Sequence, residues 1–80
     1  MRFKKLSVPE RAHPLVREMY ALMNKERVSL LDLAWRSGNH KDTLSAWRRR
    51  GAPRVDMLEA ALNVLGYRLS IEPIKREAAE

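Results

Sequence analysis

The stretch SLLDLAWRSGNHKDTLSAWRRR, residues 29–50, constrains the fold of this chain more than any other. Ser29 is a good helix cap, and Asp32 lies three residues later, where its carboxylate can complete a capping box. The helix that starts at Ser29 is expected to end at Gly38, because glycine adopts the left-handed backbone conformation of a helix end at little cost. The pattern predicts two short helices joined by a tight glycine turn, which is the layout of a helix-turn-helix.

The residues after Gly38 predict a third helix with a polar and basic outer face. Leu44 and Trp47, three residues apart, are its inward positions. The outward positions are Lys41, Asp42, Ser45, Ala46 and Arg49, with parts of Thr43 and Arg48. A helix of about ten residues is about 15 Å long, and the major groove of DNA, about 12 Å wide, admits a helix. DNA binding is therefore the leading hypothesis.

The positive charge of the chain is concentrated on the same stretch. The net charge is +6. Residues 36–54 hold one acid, Asp42, and the basic residues Arg36, Lys41, Arg48, Arg49, Arg50 and Arg54. This concentration favours a surface that binds a polyanion. The alternative, that the arginines only complement a helix dipole, is weaker because three consecutive arginines repel one another.

Length and composition exclude several classes of protein. Eighty residues suit one domain with a small core, which a second copy of the chain would help to stabilise. The chain has no cysteine, so disulfides and thiolate metal sites are excluded and a reducing, cytoplasmic location is expected. Two histidines do not close a zinc site, and no apolar run approaches the length of a membrane span. We expect no metal, no cofactor and no membrane partner.

Residues with catalytic potential are few and poorly placed. Ser45 and His40 lie five positions apart on one predicted helix, without a buried acid to orient the histidine. The chain also lacks a glycine-rich phosphate loop and a pocket of paired carboxylates. The sequence therefore predicts that the protein is not an enzyme.

The predicted helix-turn-helix is framed by two further helices, so that the helical domain covers residues 13–66. The first helix begins at His13 and Pro14, because proline suits the first helical position, and His13 is expected to be a capping or surface residue. Its inward residues are Leu15, Val16, Met19, Tyr20, Leu22 and Met23. The fourth helix covers about residues 54–65 and ends at Gly66, with Val55, Leu58, Ala61, Leu62 and Leu65 inward.

Both ends of the chain lie outside this domain. Residues 1–12 form a basic arm, which would contact DNA, pack against the domain or a partner, or stay partly disordered. Residues 67–72, YRLSIE, alternate apolar and polar positions and predict a strand. A single strand must pair with residues 3–8, with a second subunit or with another protein. Residues 73–80 form a short charged tail.

Residues 29–66 resemble the Cro/C1-type helix-turn-helix domain of phage and bacterial repressors, also called the xenobiotic-response-element-like family. The matching motifs are S-x-x-D-L-A-x-x-x-G, T-L-S-x-W and P-R-V-D-x-L-x-x-A-L-x-x-L-G, in that order. The resemblance implies a mainly α domain of four to five helices, here followed by the predicted short strand. It also implies a transcriptional regulator, such as a phage- or mobile-element-type repressor, that binds double-stranded operator DNA as a homodimer.

The resemblance assigns roles to individual residues. Base reading falls to His40, Lys41, Asp42, Ser45 and Ala46. Contacts to the DNA backbone fall to Ser29, Arg36, Thr43, Arg48, Arg49, Arg50 and Arg54. The chain departs from the family pattern at Asn39, which can cap the third helix in place of His40 and so shift the reading register. The competing hypothesis is an antitoxin-like or anti-activator-like module that keeps this fold but binds a protein through its strand or arm.

Overall fold

The computed structural model describes residues 3–49 and 52–74, and this part of the chain is mainly helical. It contains four helices, which are α1 (Pro14–Glu26), α2 (Leu30–Ser37), α3 (Lys41–Ala46) and α4 (Val55–Val64). The mainly α class predicted from the sequence is therefore confirmed.

Helix α1 supplies the largest part of the core. His13 caps it as predicted, since its Nδ1 accepts a hydrogen bond from the backbone N–H of Leu15 at 3.0 Å, and Pro14 occupies the first turn. One face is fully buried and carries Val16, Met19, Tyr20 and Met23. The helical spacing also predicts that Leu15 faces inward, but 42% of it is exposed.

Helix α2 begins and ends as its sequence predicts. Ser29 Oγ accepts a hydrogen bond from the N–H of Asp32 at 3.1 Å, and Gly38 has a φ of +80°. Leu33 and Ala34 are buried, and α2 packs against both α3 and α4. The small side chain of Ala34 allows this close approach, so α2 lies at the centre of the domain.

One continuous core joins the four helices of the described residues. The sequence predicts Leu33, Leu44, Trp47 and Leu58 as core residues, and each is buried. The core also contains Ala12, Val28, Ala61, Leu62 and Leu65, together with the buried face of α1. The side chains that face inward thus come from every helix.

Helix α4 differs from the prediction at its first residue. The helical spacing predicts that Val55 faces inward, but 71% of it is exposed. The buried residues Leu58, Ala61 and Leu62 follow three- and four-residue steps, and Val55, in the first turn, points past the edge of the packed surface. Gly66, with a φ of +94°, ends the segment as predicted.

The strand predicted for residues 67–72 is not formed. No strand occurs within residues 3–49 and 52–74. A strand exists only when a neighbour accepts and donates its backbone hydrogen bonds, and residues 3–8, one of the three partners considered, pack elsewhere. Residues 75–80, most of the predicted tail, lie outside the described part of the chain.

The described part of the arm packs against α1. Asn24 Nδ2 donates to the carbonyl of Leu6 and Asn24 Oδ1 accepts from its N–H, both at 2.8 Å. This amide side chain gives Leu6 the pair of hydrogen bonds that a neighbouring strand would give. Pro9 and Ala12 are buried behind it. Of the alternatives considered for the arm, residues 3–12 therefore show the one in which it packs against the domain.

Candidate nucleic-acid interface

The start of α3 is defined by His40. Its Nδ1 accepts a hydrogen bond from the N–H of Asp42 at 3.1 Å, so a neutral ring carries its proton on Nε2, where it is a free donor. The same Nδ1 lies 3.8 Å from Asp42 Oδ2, but an ion pair there requires a protonated ring and the loss of the cap. The interface therefore begins with a capping histidine that presents its outer N–H.

Asn39 does not cap α3, so this alternative from the sequence is wrong. Its Nδ2 donates to the carbonyl of Met57 at 3.2 Å and lies 3.1 Å from Ser37 Oγ. The amide fastens the turn of residues 38–40 to α4, whereas His40 holds the cap. The register in which Lys41 is the first helical residue is the one observed.

Helix α3 is shorter than the sequence predicts. It contains six residues, a length of about 9 Å. Beyond it the chain tightens into three-residue turns, in which Arg48 N–H donates to Ser45 and Arg49 N–H to Ala46, each at 3.1 Å. The tightening begins where Trp47, 6% exposed, enters the core. The α-helix therefore does not continue through Arg48 and Arg49.

The side chains predicted to read bases share one face of α3. Lys41, Asp42 and Ala46 are exposed, and Ser45 is half-buried. At 100° per residue, the four positions fall within an arc of about 140°. The structure therefore brings together, on one face of α3, four of the five residues that the resemblance selects, and the fifth, His40, caps the helix.

The residues predicted to contact the DNA backbone are spread over α2, α3, the turn after α3 and the start of α4. Arg49 is exposed, and Thr43 is half-buried. Arg36 pairs with Asp32 at 3.3 Å and Arg54 with Asp56 at 3.2 Å, but all four side chains are about half exposed or more. Exposed pairs of this kind contribute little, so both guanidinium groups can exchange a carboxylate for a phosphate. Ser29 uses its oxygen as a cap acceptor and keeps its hydroxyl proton. Arg50 lies outside the described residues.

Arg48 takes a role that the sequence did not indicate. Its guanidinium donates to the carbonyl and to Oγ of Ser7, at 3.1 and 3.0 Å, and its Cζ lies 4.9 Å from the centroid of the Tyr20 ring. The Tyr20 hydroxyl in turn donates to the carbonyl of Leu44 on α3, at 3.4 Å. We call this set of contacts the Arg48 clasp. It links the arm, α1 and α3, and it uses two of the five N–H donors of Arg48 in the free protein.

Burial of the Tyr20 hydroxyl leads us to expect a decrease in stability at high pH. Burial raises the pKa of the Tyr20 hydroxyl above its ordinary value of 10.0, although Arg48 opposes the shift. The unfolded chain therefore loses this proton first, and the contribution of Tyr20 to stability is complete below about pH 10 and is lost as pH rises through the folded pKa. We expect the Tm of the native protein to fall above about pH 10 more steeply than that of Tyr20→Phe.

Thermal melts of Tyr20→Phe and Tyr67→Phe from neutral pH to about pH 11 measure this difference. Tyr67 is partly exposed, so its variant is the matched control and keeps the steep alkaline slope. At neutral pH, Tyr20→Phe costs about 1 kcal/mol because it removes one hydrogen bond. Equal alkaline slopes in all three proteins would contradict the role given to the buried hydroxyl.

Two large apolar side chains flank the start of α3. Trp35 is 84% exposed and Leu31 is 66% exposed, one helical turn apart on α2. With His40 and Lys41 they border a shallow groove of about 320 Å³. The sequence leaves Trp35 open between exposure, cover by the arm and a subunit contact, and in the single chain it is exposed. This apolar patch lies beside the polar face of α3, and Lys41 borders both surfaces.

No protein-family model matches the chain, and neither the curated proteins nor the solved structures that were compared with it contain a match. None of the helices within residues 3–49 and 52–74 is long and apolar enough to cross a lipid bilayer. The likeness to the Cro/C1-type domain accordingly rests on the motifs in the sequence.

Proposed function

We propose that the protein is a sequence-specific regulator of transcription that inserts the outer face of α3 into the major groove of double-stranded DNA. The observation that carries the proposal is the shared face of Lys41, Asp42, Ser45 and Ala46, which is bordered by exposed basic residues. Two helices joined through residues 38–40, with a left-handed glycine, have the connection length of helix-turn-helix motifs.

The side chains on this face are chemically suited to read base edges. The Lys41 ammonium donates to guanine O6 or N7, and the Asp42 carboxylate accepts from cytosine N4. Ser45 can donate or accept, and the Ala46 methyl group packs against the methyl group of thymine. The outer N–H of His40 adds a donor at the start of the helix. We assign direct reading to these five residues.

The basic residues around α3 are assigned to the DNA backbone. Arg49 lies in the turn after α3, Arg36 lies on α2 and Arg54 directly precedes α4, so basic side chains come before and after the reading face in the chain. Phosphate contacts release counterions, which makes affinity fall steeply with salt. Ser29 and Thr43 have hydroxyl groups that can donate to phosphate oxygens. These contacts would position the protein without specifying a sequence.

The proposed regulator binds one operator as two copies. A homodimer presents two copies of α3 related by a twofold axis, so its operator is an inverted repeat with half-sites about 10 base pairs apart, or a multiple of that. The function fits a small repressor of the phage or mobile-element type, which would block transcription by occupying the operator.

Selection from random duplexes tests this function. The protein is incubated with duplexes that carry a random core, bound molecules are recovered at moderate salt, and the enriched sequences are read. We expect an enriched inverted repeat whose affinity falls as salt rises. Absence of any enriched sequence over several rounds would contradict sequence-specific binding, and enrichment of a single undivided site would contradict binding as a dimer.

A second function is favoured by one observation, the exposure of Leu31 and Trp35. In an antitoxin-like or anti-activator-like module, this apolar patch would bind a protein. The two functions differ in their response to mutation. Under DNA binding, Lys41→Ala relaxes the sequence preference found by selection at one position per half-site. Under protein binding, no sequence is enriched, and Trp35→Ala instead removes the capture of a partner that Lys41→Ala retains.

A further inference from the structure

The C-terminal segment, residues 67–74, leaves apolar side chains in solvent. Ile71 is 99% exposed, whereas Leu69, two positions earlier, is half-buried against the core. Beside the segment lies a groove of about 310 Å³, lined in part by Leu15 of α1 and Leu62 of α4. Leu15 is partly exposed because its side chain lines this open groove. An apolar side chain and an apolar groove thus lie close together without filling each other.

The backbone of the same segment is also free. Tyr67 N–H donates to the carbonyl of Leu62 and closes the end of α4. Beyond it, the backbone groups of residues 68–74 find no hydrogen-bond partner within the described part of the chain. Apolar and polar side chains alternate along residues 67–72. The segment therefore has the pattern and the free edge of a strand that lacks its neighbour.

We propose that this neighbour is the same segment of a second copy, paired antiparallel about a twofold axis at Ser70. Paired residues then have numbers that sum to 140. Arg68 lies opposite Glu72 of the second copy, and Leu69 lies opposite Ile71 of the second copy, each twice by symmetry. Opposite charges and apolar side chains that lie directly across an antiparallel pair are the contacts that stabilise it.

The neighbouring registers lack this complementarity. A twofold axis perpendicular to the sheet keeps each side chain on the same face of the sheet. The axis must therefore pass through a residue, and each other possible register has its axis at a different residue. An axis at Leu69 places Arg68 opposite Ser70. An axis at Ile71 places Glu72 opposite Ser70 and Leu69 opposite Pro73. Only the axis at Ser70 joins the two charges.

Pro73 is compatible with the proposed register. In an antiparallel pair, hydrogen-bonded and non-hydrogen-bonded positions alternate. When Ser70 forms a hydrogen-bonded pair with its own copy, Arg68 and Glu72 form the next ones. Tyr67 and Pro73 then meet at a non-hydrogen-bonded position, where the missing N–H of proline costs nothing.

The pairing also fills the groove. Residues directly opposite in an antiparallel pair lie on the same face of the sheet. Leu69 faces the core, so Ile71 of the second copy faces the same way, over the groove beside Leu15 and Leu62. In the proposed pair, Arg68 and Glu72 lie on the outer face, so Arg68, which lines the groove in the single chain, would turn away from it. The second copy is therefore the proposed occupant of the groove. The pairing requires no DNA.

Charge reversal tests the partner and the register together. Sedimentation equilibrium of the full chain without DNA is expected to show a dimer. Arg68→Glu alone and Glu72→Arg alone each place like charges opposite one another twice, and each is expected to weaken dimerisation about tenfold. Mixing the two variants restores both attractive pairs in a heterodimer, and the double variant restores them in a homodimer. Arg17→Glu, an exposed reversal on α1, is the control and leaves dimerisation unchanged.

A cysteine provides an independent measure, because the chain has none of its own. Hydrogen-bonded pairs have Cα atoms about 5.5 Å apart, which is within disulfide range. Ser70→Cys is therefore expected to form a disulfide-linked dimer on mild oxidation. Glu72→Cys is the matched control and stays unlinked, because its own copy lies about four residues away along the pair, or about 13 Å.

Several results would overturn the proposal. One is a monomer at all concentrations, and another is a dimer that both single reversals leave intact. A third is failure of the mixed variants to associate more tightly than either alone. Linking by Glu72→Cys but not by Ser70→Cys would show that the register is wrong. Because these measurements contain no DNA, their failure leaves the proposed DNA contact of α3 to be tested separately.

Discussion

Leu44→Ala is expected to lower the free energy of unfolding by about 2–5 kcal/mol, the largest stability effect of any substitution on the face of α3 that contacts the core. Leu44 is fully buried, and it is the one residue within α3 that lies in the core. A domain of this size has a total stability of about 4–12 kcal/mol. The variant would therefore lose a large fraction of its stability.

Urea unfolding followed by circular dichroism measures this loss. Leu31→Ala is the matched control, because it removes the same atoms from a side chain that is 66% exposed, and we expect it to change stability by less than about 0.5 kcal/mol. Equal midpoints for Leu44→Ala and the native protein would show that α3 does not pack through Leu44, and the facing of its outer residues would then be wrong.

Lys41→Ala and Arg49→Ala are expected to affect DNA binding in different ways. Lys41 lies at the start of α3, where side chains reach base edges, so its removal costs about 1–3 kcal/mol on the selected operator and relaxes the preference at one position per half-site. Arg49 lies in the turn after α3, beside the path that we propose for the phosphates. Its removal weakens operator and scrambled DNA nearly equally and lowers the salt slope by about one unit for each phosphate that is no longer neutralised.

Binding isotherms on both duplexes at several salt concentrations separate the two effects. Lys25→Ala is the control, because it removes one positive charge from the end of α1, which lies outside α2, α3 and α4. It is expected to change neither the sequence preference nor the salt slope. If Lys41→Ala reduced both affinities alike while Arg49→Ala changed the preferred sequence, the two ends of the helix would have the opposite roles. The docking of α3 in the groove would then be wrong.

The features that the sequence predicts well are local. The His13 and Ser29 caps and the left-handed glycine at position 38 each depend on residues within four positions of one another, so the pattern contains the whole interaction. The buried side chain of Leu44 follows from helical spacing in the same way. These residues define where α1 and α2 begin, where α2 ends and which way α3 faces.

The features that it misses depend on partners far away in the chain. Arg48 binds Ser7, 41 positions earlier, and Asn24 binds Leu6, 18 positions earlier. Neither contact has a local signature, so the sequence assigns Arg48 to phosphate and leaves Asn24 out of the inward positions of α1. Both residues hold the arm against the domain and thereby remove one predicted partner of the C-terminal segment.

The strand predicted for residues 67–72 shows a third kind of difference. The pattern predicts which way the side chains face, but it does not show whether a neighbour forms the backbone hydrogen bonds. Alternation along residues 67–72 predicts an apolar and a polar face, and Leu69 does face the core. Hydrogen bonding requires a neighbour that a single chain does not supply. The prediction of a strand is therefore wrong for the isolated chain, and the segment pairs only in the proposed dimer.

Methylation interference on the selected operator tests the central claim most directly. Dimethyl sulfate modifies guanine N7 in the major groove and adenine N3 in the minor groove, so it reports which groove the protein occupies. We predict interference at guanine N7 in two clusters related by the twofold axis, and its disappearance at one guanine per half-site for Lys41→Ala. Interference confined to adenine N3, or none at either position while the operator is bound, would contradict the insertion of α3 into the major groove.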